Sequence, residues 1–239
     1  MKIFVNSPEQ IARDAAKKYV EILSVKPNAV LGFATGSTPL GLYSELAGLC
    51  ADKKISFSRA SSFNLDEYLG LDGSHDQSYR YFMNKNLFEK IDIDINKTRV
   101  PSGINTSPEL AAKYDKDIEN AGGIDLQLLG IGNNGHIGFN EPGTPFGSVT
   151  HIVELTDSTR QANKRFFNSI DEVPTHSVTM GIKTVMNARA IILMAIGKAK
   201  ADIVKKFITG EVSEEVPASV LQLHPNVEVY LDFDAASQL

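Results

Sequence analysis

The side chains best suited to chemistry lie in one glycine-rich segment, residues 129–142. Four glycines fall within nine residues there, and the segment also carries His136 and Glu141. Glycine permits close backbone approach and backbone conformations with positive φ. A single histidine is more often structural, but an imidazole and a carboxylate on a glycine-rich loop after an apolar run predict an acid–base pair.

A second candidate is the turn at residues 35–39, Thr-Gly-Ser-Thr-Pro, between a predicted strand and a predicted helix. Backbone amides and hydroxyls at the N-terminus of a helix bind anions. The spacing and the lysine of a nucleotide-binding P-loop are missing. From these residues alone, an anion site and an ordinary strand–helix turn remain equally open.

A third candidate is the pair of adjacent carboxylates, Asp66 and Glu67, directly after a predicted strand. Adjacent carboxylates at a strand end are more often solvated surface groups or helix caps than catalysts. Taken alone, this pair therefore favours a structural role.

Apolar runs that alternate with helical patterns position these three segments. They predict an α/β fold: a single domain, residues 1–239, with a mostly parallel, doubly wound, Rossmann-like sheet and helices on both faces. Ser7, Pro8 and Gln10 predict a capping box at the first helix. Because ligands bind outside the carboxyl ends of such strands, the three segments are expected to meet there. The predicted strands are 3–5, 29–34, 60–65, 124–131, 152–155, 190–196 and 228–232; the predicted helices are 8–23, 39–49, 78–88, 108–120 and 200–208.

Composition narrows the function classes. The net charge of −5 and the absence of a clustered basic stripe argue against nucleic acid as a partner. Cys50 is the only cysteine, which excludes an intrachain disulfide and a cysteine-rich metal site. The longest strongly apolar run, 190–196, is too short to span a membrane. No long apolar stretch follows the first residues, so a cytoplasmic location without membrane association is expected.

Taken together, these motifs resemble the glucosamine-6-phosphate deaminase family, within the superfamily that includes 6-phosphogluconolactonases. The resemblance covers nearly the whole chain. Its segments occur in the family's order: the turn 35–39, Phe-Asn-Leu-Asp-Glu-Tyr at 63–68, Gly-His-Ile-Gly-Phe-Asn-Glu-Pro at 135–142, Arg-Phe-Phe at 165–167, and Leu-Gln-Leu-His-Pro at 221–225.

The resemblance implies roles for individual residues. Asp66 corresponds to the family's general base, His136 to its ring-opening residue and Glu141 to the partner of that histidine. The substrate would be a small amino-sugar phosphate, and neither a metal nor an organic cofactor is implied. His224 is expected to be structural and near the site. The family's phosphate ligands correspond to Thr35, Gly36, Ser37, Thr38, Arg165 and Lys200.

Two departures from the family pattern bear on mechanism and regulation. Asn134 stands where many relatives have Asp; it could orient the imidazole by hydrogen bonding but could not stabilise an imidazolium by charge. Between Pro142 and Leu155 there is no Lys or Arg, whereas allosterically activated hexameric relatives carry basic residues there. We therefore expect a monomer or small homo-oligomer, with a lid at about residues 156–175.

Three alternatives stay open at this stage. A deaminase that acts on the galactosamine analogue would look very similar, because the two substrates differ only in the orientation of one hydroxyl group. A 6-phosphogluconolactonase would share the phosphate turn and a histidine but would not need Asp66 as a base. A sugar-phosphate-sensing domain could share the fold, but the joint presence of Asp66, His136 and Glu141 favours catalysis.

Overall fold

A seven-stranded, wholly parallel sheet forms the centre of the computed structural model, which describes residues 1–104, 106–164 and 167–239. In chain order, the strands are β1 (Lys2–Val5), β2 (Val30–Phe33), β3 (Ser61–Asn64), β4 (Asp66–Tyr68), β5 (Thr98–Arg99), β6 (Leu126–Leu129), β7 (His151–Glu154), β8 (His176–Thr179), β9 (Ile191–Ala195) and β10 (Val227–Leu231). The central sheet has the order β1-β10-β9-β6-β2-β3-β5. The predicted α/β class with a mostly parallel sheet is confirmed.

Helices connect most of these strands. Within the described ranges, no helix is both long enough and apolar enough to cross a membrane. The α-helices are α1 (Pro8–Val25), α2 (Leu40–Ala51), α3 (Tyr79–Asn86), α4 (Pro108–Asn120), α5 (Asp157–Asn163), α6 (Ile182–Met186) and α7 (Ala201–Thr209).

Helix α1 illustrates how local sequence sets an element. Ser7 Oγ accepts a hydrogen bond from the Gln10 N–H at 3.3 Å, so Ser7 is the predicted N-cap. The prediction of a full capping box is wrong. The Gln10 side chain donates to Asp14 and does not accept from the Ser7 N–H. Ile11 and Leu23 lie on the buried face of the helix, and burial of each stabilises the fold by about 2 kcal/mol.

The order of the strands creates a crevice at the carboxyl edge of the sheet. The chain moves from β1 to β2, β3 and β5, then returns through β6, β9 and β10. Because parallel crossovers are right-handed, these opposite directions place α1 and α2 on one face and α4 and α7 on the other. β2 and β6 are neighbours whose following connections diverge, and such a switch point is where doubly wound folds bind ligands.

A second sheet is antiparallel and has the order β4-β8-β7. The strand predicted at 152–155 forms at 151–154, but it belongs to this small sheet and not to the parallel one. Asp66 in β4 is paired with Thr179 in β8. The small sheet therefore holds Asp66 beyond the end of β3.

Candidate active site

The loop after β6 presents His136 against a glycine. The Gly132 N–H donates to the His136 carbonyl at 2.9 Å, and the Gly135 N–H donates to the Gly132 carbonyl at 3.0 Å. These bonds fold the loop back on itself, so that the imidazole lies against Gly132. A Cβ atom at position 132 would lie 2.4 Å from both Cε1 and Nε2 of His136. The place of the imidazole therefore depends on the absence of a side chain at Gly132.

Glu141 is the carboxylate partner of this histidine. Its Oε1 lies 3.5 Å from His136 Nδ1, an ion-pair distance longer than a good hydrogen bond. The Thr159 hydroxyl donates to the same Oε1 at 2.6 Å, and Asn134 Nδ2 donates to Oε2 at 2.5 Å. His136 Nδ1 has no hydrogen-bond partner among the described residues, so Glu141 is the group that it faces.

Asn134 does not contact the imidazole in the way expected from the sequence. Its Oδ1 accepts from the backbone N–H of His136 at 3.2 Å, while its Nδ2 holds Glu141. Asn134 therefore connects the backbone of one catalytic candidate to the carboxylate of the other. Its influence on the imidazole passes through Glu141.

Glu141 is buried but remains an anion. Burial alone would raise its pKa, but the contact with His136, the hydrogen bond from Thr159, the electrostatic attraction to His136 and the hydrogen bond from Asn134 lower the pKa to about 2. An ionised carboxylate beside Nδ1 stabilises the protonated imidazole. The pair is thus suited to moving protons through His136.

Asp66 lies close to the loop that carries His136. A Cβ atom on Gly138, which has a φ of +59°, would lie 3.6 Å from Asp66 Oδ2 and 2.8 Å from Thr179 Oγ1. Thr179 Oγ1 also accepts from the Phe139 N–H at 3.1 Å, which ties this loop to the small sheet. The close packing at Gly138 brings together Asp66 and Gly138, which are 72 positions apart in sequence.

Asp66 and Glu67 have different environments. Glu67 accepts hydrogen bonds from the N–H groups of Tyr68 at 2.9 Å, Tyr79 at 2.8 Å and Arg80 at 3.0 Å, so it caps helix α3. Asp66 is only 7% exposed, and no described residue donates a hydrogen bond to its carboxyl group. Burial, together with the neighbouring charge of Glu67, raises the pKa of Asp66 to about 8. A buried carboxyl group with such a pKa suits a general base.

The turn 35–39 has the features of an anion site at the end of β2. Gly36 adopts a φ of +98° and is exposed with Ser37. Helix α2 begins at Leu40 and its N-cap, Pro39, supplies no side-chain hydrogen bond. The sequence predicts Pro39 as the first residue of this helix, but it lies one position before the helix begins. The Leu40 N–H donates to the Ser37 carbonyl at 3.3 Å. The amides of the first turn of a helix are the groups that bind an anion in such a turn.

Lys200 connects the segment after β9 to the glycine-rich loop after β6. Its Nζ donates to the Ile131 carbonyl at 2.8 Å, and Lys200 is the N-cap residue of α7. Its ammonium group therefore lies beside β6, whose neighbour β2 leads into the turn 35–39. Arg165 lies outside the described residues, so its part in phosphate binding stays a prediction.

Some site residues were not identified from the sequence. Thr159, on α5, contacts Glu141 across a sequence separation of eighteen residues, and Thr179 reaches the site through the pairing of β8 with β4. An aromatic cluster also joins β4, α3 and the loop: the Tyr68 ring lies 4.8 Å from Tyr79 and 5.7 Å from Phe139 between centroids. These residues have no local sequence signal for such contacts.

His224 is structural, as predicted, but it is not near the site. Its Nε2 lies 2.8 Å from the Ala188 carbonyl, and its Nδ1 accepts from the Asn226 N–H. These residues precede β9 and β10, at the amino edge of the parallel sheet. Among the described residues, no group of three or more His, Cys, Asp or Glu side chains could hold a metal ion.

Comparisons with known proteins agree on one family. The profile described as glucosamine-6-phosphate isomerases/6-phosphogluconolactonase matches residues 6–230. A glucosamine-6-phosphate deaminase of Clostridium perfringens (strain 13 / Type A) is 49% identical over 239 residues, which is 99% of this chain and 98% of that protein. One from Clostridium botulinum (strain Langeland / NCTC 10281 / Type F) is 47% identical over 238 residues, with the same coverage.

Solved structures give the same result for the fold. The structure of a monomeric glucosamine-6-phosphate deaminase matches with a TM-score of 0.96 and 43% identity, covering all of both chains. The 6-phosphogluconolactonase from Trypanosoma cruzi matches with a TM-score of 0.79 and 20% identity, over 100% of this chain and 96% of that one. The second similarity is evidence for a shared fold alone.

Proposed function

Because the chain belongs to the family of glucosamine-6-phosphate isomerases and 6-phosphogluconolactonases, we propose that it is a glucosamine-6-phosphate deaminase. It converts glucosamine 6-phosphate and water to fructose 6-phosphate and ammonia. The observation that carries this function is a buried carboxyl group, Asp66, which receives no hydrogen bond from the described residues and packs against the loop of an imidazole–carboxylate pair, His136 and Glu141. Proton transfer at carbon needs the first group, and opening of the sugar ring needs the pair.

Ring opening is the task of His136 and Glu141. The imidazole moves a proton between the anomeric hydroxyl and the ring oxygen, which breaks the C1–O5 bond and leaves an aldehyde at C1. The Glu141 carboxylate, 3.5 Å from Nδ1, stabilises the imidazolium formed on the way. A positioned acid–base group of this kind contributes about 10²–10⁴-fold to rate.

Asp66 then performs isomerisation. The aldehyde acidifies the proton on C2, Asp66 removes it, and an enolamine forms. Asp66 returns a proton to C1, which leaves an imine at C2 of fructose 6-phosphate, and addition of water releases ammonia. Every step is a proton transfer or an imine hydrolysis, and carboxyl and imidazole groups on this chain can perform them.

The substrate phosphate binds at the turn 35–39 with Lys200, and Arg165 is its third predicted partner. The N-terminus of α2, which has no side-chain cap from Pro39, supplies backbone amides, and the Lys200 ammonium contacts the loop that follows β6. Binding energy from the phosphate, remote from C1 and C2, holds the opened chain in a reactive pose.

Lys200→Met should raise KM for glucosamine 6-phosphate by about 10-fold or more while changing kcat less, because the phosphate contact acts in ground and transition states alike. Inhibition by inorganic phosphate should weaken in parallel. Lys198→Met, in the same 3₁₀ turn, is the matched control and should leave both constants near wild type. A loss of kcat in Lys200→Met with KM unchanged would contradict a role of Lys200 in phosphate binding.

A ¹³C titration of the substrate-free protein should show one carboxyl group with a pKa near 8. Burial of Asp66 raises its pKa to about 8, so the signal should disappear in Asp66→Asn, and kcat/KM should rise with pH between 6 and 8 as the base ionises. Glu141 has its pKa lowered to about 2 and stays ionised throughout this range. A protein whose carboxyl groups all titrate below pH 6 would contradict this environment for Asp66.

Three further properties belong to the proposal: domain organisation, location and oligomeric state. We propose one domain that acts in the cytoplasm, where a phosphorylated sugar is retained, and that it is a monomer, as the similar solved deaminase is described. Light scattering of the purified protein tests the monomer directly. A stable hexamer would contradict it.

Substrate comparison tests the function against its rivals. Purified protein should release ammonia from glucosamine 6-phosphate faster than from galactosamine 6-phosphate, and should not accelerate hydrolysis of 6-phosphogluconolactone. A preference for the galacto epimer would change the substrate but keep the chemistry. Lactone hydrolysis without ammonia release from either amino sugar would overturn the proposal.

A further inference from the structure

A hydroxyl on helix α5 contacts the carboxylate that faces His136. Thr159 is buried, and its Oγ1 donates to Glu141 Oε1 at 2.6 Å. We propose that Thr159 is a positioning residue for the ring-opening step and acts through Glu141. The inference rests on the proposed function and deepens it, because it places a residue of a separate helix in control of the imidazole–carboxylate pair.

Two donors from different elements fix the Glu141 carboxylate. Asn134, in the same loop, holds Oε2, and Thr159 holds Oε1, the oxygen that faces His136 Nδ1. With both oxygens held, the carboxylate plane has one orientation. Without Thr159, the contact that Oε1 keeps among the described residues is the 3.5 Å approach to the imidazole, and the carboxylate can rotate about its last bond.

The Thr159 hydroxyl is itself oriented to donate. Thr156 is the N-cap residue of α5, and its Oγ1 accepts from the Thr159 N–H at 3.2 Å. The Thr156 hydroxyl donates to Thr159 Oγ1 at 3.1 Å, which leaves the Thr159 proton directed at Glu141. Hydroxyl groups in such a series polarise one another and strengthen the last bond.

The surroundings of Glu141 explain why one hydroxyl matters. Among the described residues, His136 is the titratable side chain that lies against this carboxylate, while Thr159 and Asn134 are its neutral donors. Part of the stability of the anion therefore comes from Thr159. A carboxylate that turns from Nδ1 leaves the imidazolium less stabilised and the ring less well oriented, and a displacement of about 1 Å can cost about 10²-fold in rate.

Three variants test this role by steady-state kinetics. Thr159→Val keeps the shape and removes the hydroxyl, so kcat should fall by about 10- to 100-fold with KM within about threefold. Thr159→Ser restores the hydroxyl and should recover most of kcat. Thr144→Val is the matched control, because the Thr144 hydroxyl donates to the backbone carbonyl of the same Glu141. Equal losses in the Val and Ser variants at 159, or no loss in either, would overturn the proposal.

Ring opening can also be isolated from deamination. Asp66→Asn should block the later steps while His136 still opens the ring, so this variant should accelerate exchange between the α and β anomers of glucosamine 6-phosphate, measured by NMR. Adding Thr159→Val should abolish most of the acceleration, whereas adding Thr159→Ser or Thr144→Val should not. Unchanged exchange in the Asp66→Asn/Thr159→Val protein would contradict the role.

The measurements distinguish failure of the proposed function from failure of the proposed role of Thr159. Wild-type protein that releases no ammonia from any amino-sugar phosphate would overturn the proposed function. Active wild-type protein whose Thr159→Val variant keeps its kcat and its anomer exchange would overturn only the role of Thr159.

Discussion

Asp66→Asn should lower kcat for ammonia release from glucosamine 6-phosphate by about 10²–10⁴-fold, the range for loss of a positioned general base. The amide keeps the shape of the carboxyl group but cannot accept the C2 proton. The proposed phosphate site, at the turn 35–39 and Lys200, does not include Asp66, so KM should change much less. Kinetics of the purified variant, with circular dichroism to confirm folding, measures both.

The same variant should be more stable than the wild type at alkaline pH. The folded-state pKa of Asp66, raised to about 8, lies above the unfolded value of about 3.9. Between these values the folded state holds the extra proton, so wild-type stability falls as pH rises. Asn carries no such penalty, so its Tm should exceed that of the wild type by several degrees at pH 8.5 and by little at pH 5.

Asp234→Asn serves as the control for this stability experiment, since Asp234 is exposed. It should change neither kcat nor the dependence of Tm on pH. A gain in Tm of Asp66→Asn that does not depend on pH would contradict the raised pKa of the Asp66 carboxyl group. Activity that survives in Asp66→Asn would remove Asp66 as the base while leaving the reaction in place.

Gly132→Ala should reduce kcat by about 10²-fold, the loss expected for misplacement of a catalytic group by about 1 Å. The new Cβ would lie 2.4 Å from Cε1 and Nε2 of His136. A side-chain ring can rotate away, so the fold should persist while the imidazole leaves its position. Position 132 does not have the positive φ that would strain an alanine backbone.

Gly147→Ala is the matched control, because a Cβ there would meet no atom within 4 Å. It should retain wild-type kcat and Tm. Anomer exchange should fall with kcat in Gly132→Ala if the displaced imidazole opens the ring. Wild-type activity in Gly132→Ala would contradict the packing of His136 on this glycine.

The elements that carry strong local signals could be predicted from the sequence. The runs around Leu31, Leu128 and Leu193 form buried parallel strands, because apolar side chains on both faces suit a covered sheet. β4 and β8 could not be predicted, since they are three and four residues long and rich in polar side chains. Their pairing depends on contacts between distant segments, which no local pattern encodes.

The site divides in the same way. His136, Glu141 and the turn 35–39 stand out because glycine, polar side chains and strand ends coincide there. The different environments of Asp66 and Glu67 follow from the amides of α3, which bond to Glu67 and which the sequence does not place. Thr159 reaches Glu141 only through the docking of α5. Residue type and spacing therefore identify candidates, and tertiary contacts assign their tasks.

The most direct measurement follows ammonia and fructose 6-phosphate together during incubation of the purified protein with glucosamine 6-phosphate, beside the Asp66→Asn variant. The proposed mechanism predicts equal amounts of the two products from wild-type protein and the loss of both in the variant. Absence of ammonia from the wild type, or ammonia without an equal amount of fructose 6-phosphate, would contradict it.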